Sequence, residues 1–166
     1  MATRNAKKRL NSIHSVDSSN VQEWLNYAKE KLVSDPTQQW VGSEVLYYVA
    51  LHKKSGMFSK QKQSDKYLFV LKPQEAGRLF ILVITLAPRD YVIKLHWDVK
   101  TLRNVDVGEN ENEMVLSFDH ADYSWMFSND MERDECLWIV ASLAKKLCSV
   151  DVYMGTSARL SSLGYA

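Results

Sequence analysis

From residue 44 to residue 128 the chain is a succession of short runs rich in β-branched and aromatic residues, each bounded by turn signals. That pattern limits the fold more than any other feature. The runs are EVLYYVALHK (44–53), KYLFVLK (66–72), RLFILVITLA (78–87), YVIKLHWDV (91–99), LRNVDV (102–107), MVLSFD (114–119) and YSWMFS (123–128). Pro88, Arg89 and Asp90 mark one turn, and GENENE at 108–113 marks an acidic one. About seven strands are therefore expected. They lie between two helical patterns, because apolar residues recur at helical spacing on both sides of them.

The first helix is expected over 20–34. Val21, Trp24, Leu25, Ala28 and Leu32 form its apolar stripe, Asn20 with Glu23 gives the capping-box spacing, and Asp35 before Pro36 ends it. The second is expected over 130–148, with Asn129 and Glu132 at its start. Leu137, Val140, Ala141, Ala144, Leu147 and Cys148 form its stripe, with Trp138 beside it. Acidic residues load its first turns and Lys145 and Lys146 its last, as the helix dipole favours. Strands closed by one amphipathic helix suggest an α+β fold: a curled antiparallel sheet or barrel whose open end the helix stoppers. The same pattern fits a small α+β sandwich. Expected limits are a basic, disordered stretch at 1–18, one domain over 19–150, and a small, polar tail or linker at 151–166.

Charge is unevenly placed. Residues 1–100 hold sixteen Lys/Arg against nine Asp/Glu, and residues 101–166 hold five against eleven, so a net charge of +1 conceals a polarised chain. The basic excess peaks at 53–66, KKSGMFSKQKQSDK, with Lys53, Lys54, Lys60, Lys62 and Lys66 against Asp65 alone. Met57 and Phe58 sit at its centre. A cationic loop with an apolar tip suits an anionic membrane surface, the lysines meeting phosphates and the tip entering the headgroup layer. A solvated, lysine-rich loop is the plainer reading of the same residues.

Catalysis finds little support. His14, His52, His96 and His120 are scattered without metal-ligand spacing, the six glycines form no phosphate-cradling loop, and neither cysteine has a nucleophile context. No metal or cofactor is expected. Cys136 and Cys148, twelve residues apart on one helix, stand about 18 Å apart along its axis, beyond disulfide reach, which points to free, buried thiols in a cytosolic protein. No apolar run approaches the roughly 18 residues that span a bilayer. The aromatics lack the glycine-rich pattern of RNA-reading strands, so no nucleic-acid partner is expected.

Four stretches in order carry a resemblance: VQEWLNYAKEKL, VALHKKSGMFSK, RLFILVITLA through VIKLHWDVKTLRNVDV, and FDHADYSWMFSNDMERDECLWIVASLAKKL. Over about residues 20–148 they resemble the N-terminal pleckstrin-homology-like (PH-like) domain of the exocyst's lipid-binding, landmark subunit. The resemblance implies a PH-like fold with an extra N-terminal helix. It implies binding to phosphatidylinositol 4,5-bisphosphate at the inner face of the plasma membrane, and work in vesicle tethering during exocytosis with other exocyst subunits. A Rho-family GTPase is a further implied partner, and docking of such a GTPase or a peptide is the alternative function. PH domains hold inositol phosphates with basic residues of the first two strands and their loop. On that basis Lys53, Lys54, Lys60, Lys62 and Lys66 are the first candidates, and Lys72, Arg78 and Lys94 the weaker ones. The chain departs from the common pattern by carrying Lys62, not arginine, two residues after Lys60, and lysine lacks arginine's planar fork.

Overall fold

The computed structural model describes residues 18–52 and 64–155. Helix α1 (Ser18–Ser34) is followed by strands β1 (Glu44–Leu51), β2 (Lys66–Lys72), β3 (Phe80–Ala87) and β4 (Asp90–Asp98). A 3-10 turn (Val99–Thr101) leads to β5 (Leu102–Val107), β6 (Glu113–Phe118), β7 (Asp122–Met126), helix α2 (Asp130–Cys148) and a short β8 (Tyr153–Met154). The class is α+β. The expected single curled sheet or closed barrel is not what the described strands form. They make two four-stranded sheets, ordered β1-β2-β3-β4 and β7-β6-β5-β8. His52 and Met126 bridge them, with N–H to O distances of 2.8 and 3.3 Å.

The chain changes sheet at Asp98. One carboxylate oxygen accepts the Lys100 N–H at 2.9 Å, and the Asp98 carbonyl accepts the Thr101 hydroxyl at 2.7 Å, which bends the chain into the 3-10 turn. The other oxygen accepts from Arg78 at 3.0 Å.

The first sheet is covered on both faces. Leu68, Val70, Ile81 and Val83 point into the space between the sheets, where they meet Leu102, Val105, Leu116 and, from α2, Leu137 and Val140. The alternate residues Tyr67, Phe69, Leu71, Leu82, Ile84 and Leu86 point the other way, onto Val21, Leu25, Ala28 and Leu32 of α1. Two-sided burial is why β2 and β3 read as unbroken apolar runs rather than alternating ones. Trp24 packs against this second layer, so α1 lies on the sheet's face.

Two element starts and ends differ from expectation. Helix α1 already runs at Ser18, which puts Asn20 inside its first turn. Ser18, Ser19 and Asn20 are all good capping residue types, so the local sequence does not fix the boundary. The second sheet also continues past residue 150. β8 pairs in parallel with β5, Asn104 opposite Tyr153 and Val105 opposite Met154, giving an eighth strand and a mixed sheet. Asn129 caps α2 as expected, its side-chain oxygen accepting the Glu132 N–H at 2.8 Å. The Glu132 carboxylate instead accepts the Ser128 hydroxyl.

Candidate functional site

Lys53, Lys54, Lys60 and Lys62, with Met57 and Phe58, lie outside the described residues. The frame that carries them is described. On the outgoing side, β1 ends at Leu51 and His52 is tied to β7. On the returning side, the Ser64 hydroxyl donates to the Leu51 carbonyl and accepts the Lys66 N–H at 3.1 Å. The Asp65 carbonyl takes the Leu86 N–H at 2.7 Å. Both roots of the lysine-bearing segment are thus fixed, through contacts with β1, β3 and β7.

Lys66 opens β2, opposite Leu51 on one side and Thr85 on the other. The Thr85 hydroxyl is buried and has no partner among the described residues. Thr85 lies three residues before the two-residue turn of Pro88 and Arg89, a span of roughly 10 Å along the strand. Arg89 is exposed and holds a left-handed backbone, φ 51°. It therefore shares the end of the first sheet where the lysine segment leaves and returns. In the sequence Arg89 reads only as a turn marker. Its neighbourhood is set by the register of β2 against β3, which local sequence does not carry.

The weaker candidates are placed elsewhere. Lys72 closes β2, opposite Glu44, six residues and roughly 20 Å from Lys66. Arg78 is engaged: it pairs with Glu75 at 3.1 Å and Asp98 at 3.0 Å, and its guanidinium sits 4.7 Å from the Phe80 ring centre. The hydrogen bonds it donates to Asp98 and Glu75 raise its pKa further. Arg78 secures the pivot between the sheets. Lys94 is exposed in a bulge of β4, where Ile84 faces Ile93 but Val83 faces Leu95. That extra residue turns Tyr91 and Ile93 toward α1 but Leu95 and Trp97 toward the inter-sheet core, which is why the faces of this strand resist assignment from sequence.

The second sheet carries the opposite charge. A shallow cleft of about 490 Å³ is lined by Glu109, Glu113, Asp122, Val107, Val115 and Tyr123. The acidic turn is only partly solvated. Glu113 is 3% exposed, its carboxylate accepting the backbone N–H and side-chain amide of Asn110 at 3.1 and 3.0 Å. Gly108 makes room for it, since a Cβ there would lie 2.4 Å from that carboxyl group. Trp97, Phe118, Tyr123 and Trp125 form one aromatic cluster, Phe118 buried and the others half-buried, with Trp97 stacked on Phe118 at 4.5 Å. His96 sets its ring 5.5 Å from that of Trp40, a packing role.

Cys136 is buried and Cys148 half-buried; both are free. Burial pushes the Cys136 thiol well above its usual range, against the opposing effect of a hydrogen bond with Tyr47. Burial likewise raises the Tyr47 phenol, with Cys136, Glu135 and Glu132 adding to it. Among the described residues no three His, Cys, Asp or Glu side chains converge to hold a metal ion, and no helix is long and apolar enough to cross a membrane. No protein-family model matches the chain, and no curated protein matches it.

Proposed function

We propose that this chain is a non-catalytic, PH-like membrane-targeting module that binds phosphatidylinositol 4,5-bisphosphate at the inner face of the plasma membrane, and that it serves exocyst vesicle tethering. One observation carries the reading. The segment with Lys53, Lys54, Lys60 and Lys62 has both roots, at His52 and Ser64, fixed at the end of the first sheet that also holds Lys66 and the exposed Arg89. Lys72, Lys94 and the ion-paired Arg78 stand apart from that group and have minor or no roles in it.

Each basic side chain near an anionic leaflet contributes about 1 kcal/mol. Five or six give roughly 5 kcal/mol before the cost of ordering the segment, a Kd on the order of 0.1 mM. Entry of Met57 and Phe58 into the headgroup layer adds on the order of 2–4 kcal/mol. A lone copy binds weakly to moderately, and an assembly with several such contacts binds tightly. The acidic second sheet is repelled by the same surface, which orients the domain.

Co-sedimentation with liposomes that do or do not contain the bisphosphorylated lipid tests this. Replacing Lys53, Lys54, Lys60 and Lys62 with glutamate is expected to abolish pelleting, whereas Lys72→Glu leaves most of it. Undiminished pelleting of the quadruple variant removes the segment from the mechanism.

A further inference from the structure

Among the described residues β4 pairs only with β3, so its other edge ends the first sheet. Strand edges are normally blunted by bulges or charges. Here the bulge at Lys94 interrupts the strand but leaves residues 90–93 straight. Those four residues line a cleft of about 380 Å³, whose other wall is Tyr27 and Lys31 of α1 with Asp35 and Gln38 beyond its end. Two of the seven exposed large apolar side chains among the described residues, Tyr27 and Val92, belong to this cleft.

The backbone there is already turned outward. The Tyr91 N–H bonds the side chain of its neighbour Asp90 at 2.8 Å instead of β3. In an antiparallel ladder, outward-facing residues recur every second position, so Ile93 presents its groups to the same edge. Asp90 thus occupies the place that a carbonyl of an added strand would take. Displaced from Tyr91, its carboxylate is free to meet a cation. Asp35 stands at the same end of the cleft, and its carboxyl is held below the usual range by hydrogen bonds from Thr37. Tyr91 lines the same cleft as both carboxylates, and its phenol is raised first by burial and then by Asp35 and Asp90.

We propose that the edge of β4 at residues 90–93, walled by α1, takes up an extended peptide of a partner protein as an added strand, with a basic side chain of that peptide set between Asp35 and Asp90. Strand addition draws affinity from main-chain hydrogen bonds and specificity from alternate side chains. One set of side chains lies against Tyr27 and Tyr91 under α1. The other lies beside Val92. The two carboxylates outnumber Lys31, the one cation lining the cleft, so a basic peptide is favoured over an acidic one. The proposal stands independently of the lipid reading.

The probe is a fluorescein-labelled synthetic peptide of sequence TVKVTV, titrated into the isotope-labelled full chain and followed by polarisation and amide NMR. Weak saturable binding is expected, on the order of 0.1–1 mM for so small a contact. Shift changes and slowed exchange should centre on the Tyr91 and Ile93 amides. Of the two peptides N-methylated on alternate amides, one should lose binding and the other keep it. Asp90→Asn and a glutamate-for-lysine peptide should each weaken binding about threefold to tenfold. Val92→Lys should weaken it at least as much, and glutamates in place of Lys53, Lys54, Lys60 and Lys62 should leave it unchanged. Equal effects of the two N-methylated peptides, or shifts confined to other surfaces, overturn strand addition. A gain of about tenfold on replacing Arg4, Lys7, Lys8 and Arg9 with alanine assigns the edge to the chain's own N-terminal segment and overturns the partner assignment.

Discussion

The two sheets are built to different rules. The first is buried on both faces, between α1 and the second sheet, and its central strands β2 and β3 are apolar almost throughout. The second is buried on one face only, and its strands alternate: Met114, Leu116 and Phe118 point inward while Val115 and Ser117 are half-exposed. Charge follows the same division in an unexpected way. Among described residues up to 100, eight basic side chains balance eight acidic ones, so the basic excess of the first hundred residues resides entirely in 1–17 and 53–63. From 101 to 155, four basic side chains face eleven acidic ones, so the negative charge belongs to the folded second sheet and α2 themselves. A neutral, doubly covered sheet is a scaffold on which a cationic segment can be hung. An acidic sheet with a solvated face gives the molecule its direction in a field.

The sharpest way to break this contrast is to truncate outer-face residues of each sheet. Phe69 lies under α1 and is fully buried, so Phe69→Ala should cost about 3–5 kcal/mol in chemical denaturation. Val115→Ala, on the half-exposed outer face of the second sheet, should cost about 1 kcal/mol or less. Similar losses at the two positions would mean that α1 is an appendage and the first sheet is effectively one-sided.

A smaller effect tests the acidic turn. Gly108→Ala forces a methyl group into the carboxyl of Glu113 and should destabilise by about 1–3 kcal/mol, with loss of protection at the Asn110 amide in hydrogen exchange. A neutral result would show that Glu113 moves freely to solvent and that the second sheet's charge is a surface property alone.

The smallest effect is the alkaline limb of stability, which reports how α2 is tied to the first sheet through Tyr47 and Cys136. Both pKa values are raised in the folded state, first by burial. As pH climbs past the ordinary thiol value of 9.0, the unfolded chain releases the Cys136 proton while the folded chain keeps it. Stability is therefore intact below about pH 9 and falls above it, by up to about 1.4 kcal/mol per pH unit for this one group. Half-buried Cys148 adds a weaker slope of the same sign. Cys136→Ala should flatten denaturation midpoints between pH 9 and 10, and an unchanged slope would place the coupling elsewhere.

Most of the elements were legible because their signals are local. β2, β5 and α2 coincide with the expected ranges, and the α1 stripe of Val21, Leu25, Ala28 and Leu32 is the buried one. What escaped depends on pairing. Arg78 reads as a free cation until β4 brings Asp98 to it, and Lys94 reads as an ordinary strand position until the register against β3 reveals a bulge. Arg89 reads as a turn residue until β2 and β3 align it with Lys66. Of the candidate lipid site, the sequence marked the cluster of lysines but not the pinned frame of Ser64, Asp65 and His52 beneath it.

Composition and periodicity alone determined that this chain makes short strands flanked by two amphipathic helices, and where its positive charge is densest. Those properties follow from each residue's own preference and that of its close neighbours. Only the tertiary structure decided that the strands divide into two sheets, that one is covered twice, and which cations are already spent on internal carboxylates. Pairing between strands and packing between layers decide these matters, and nothing in a local window records which partner a side chain finds.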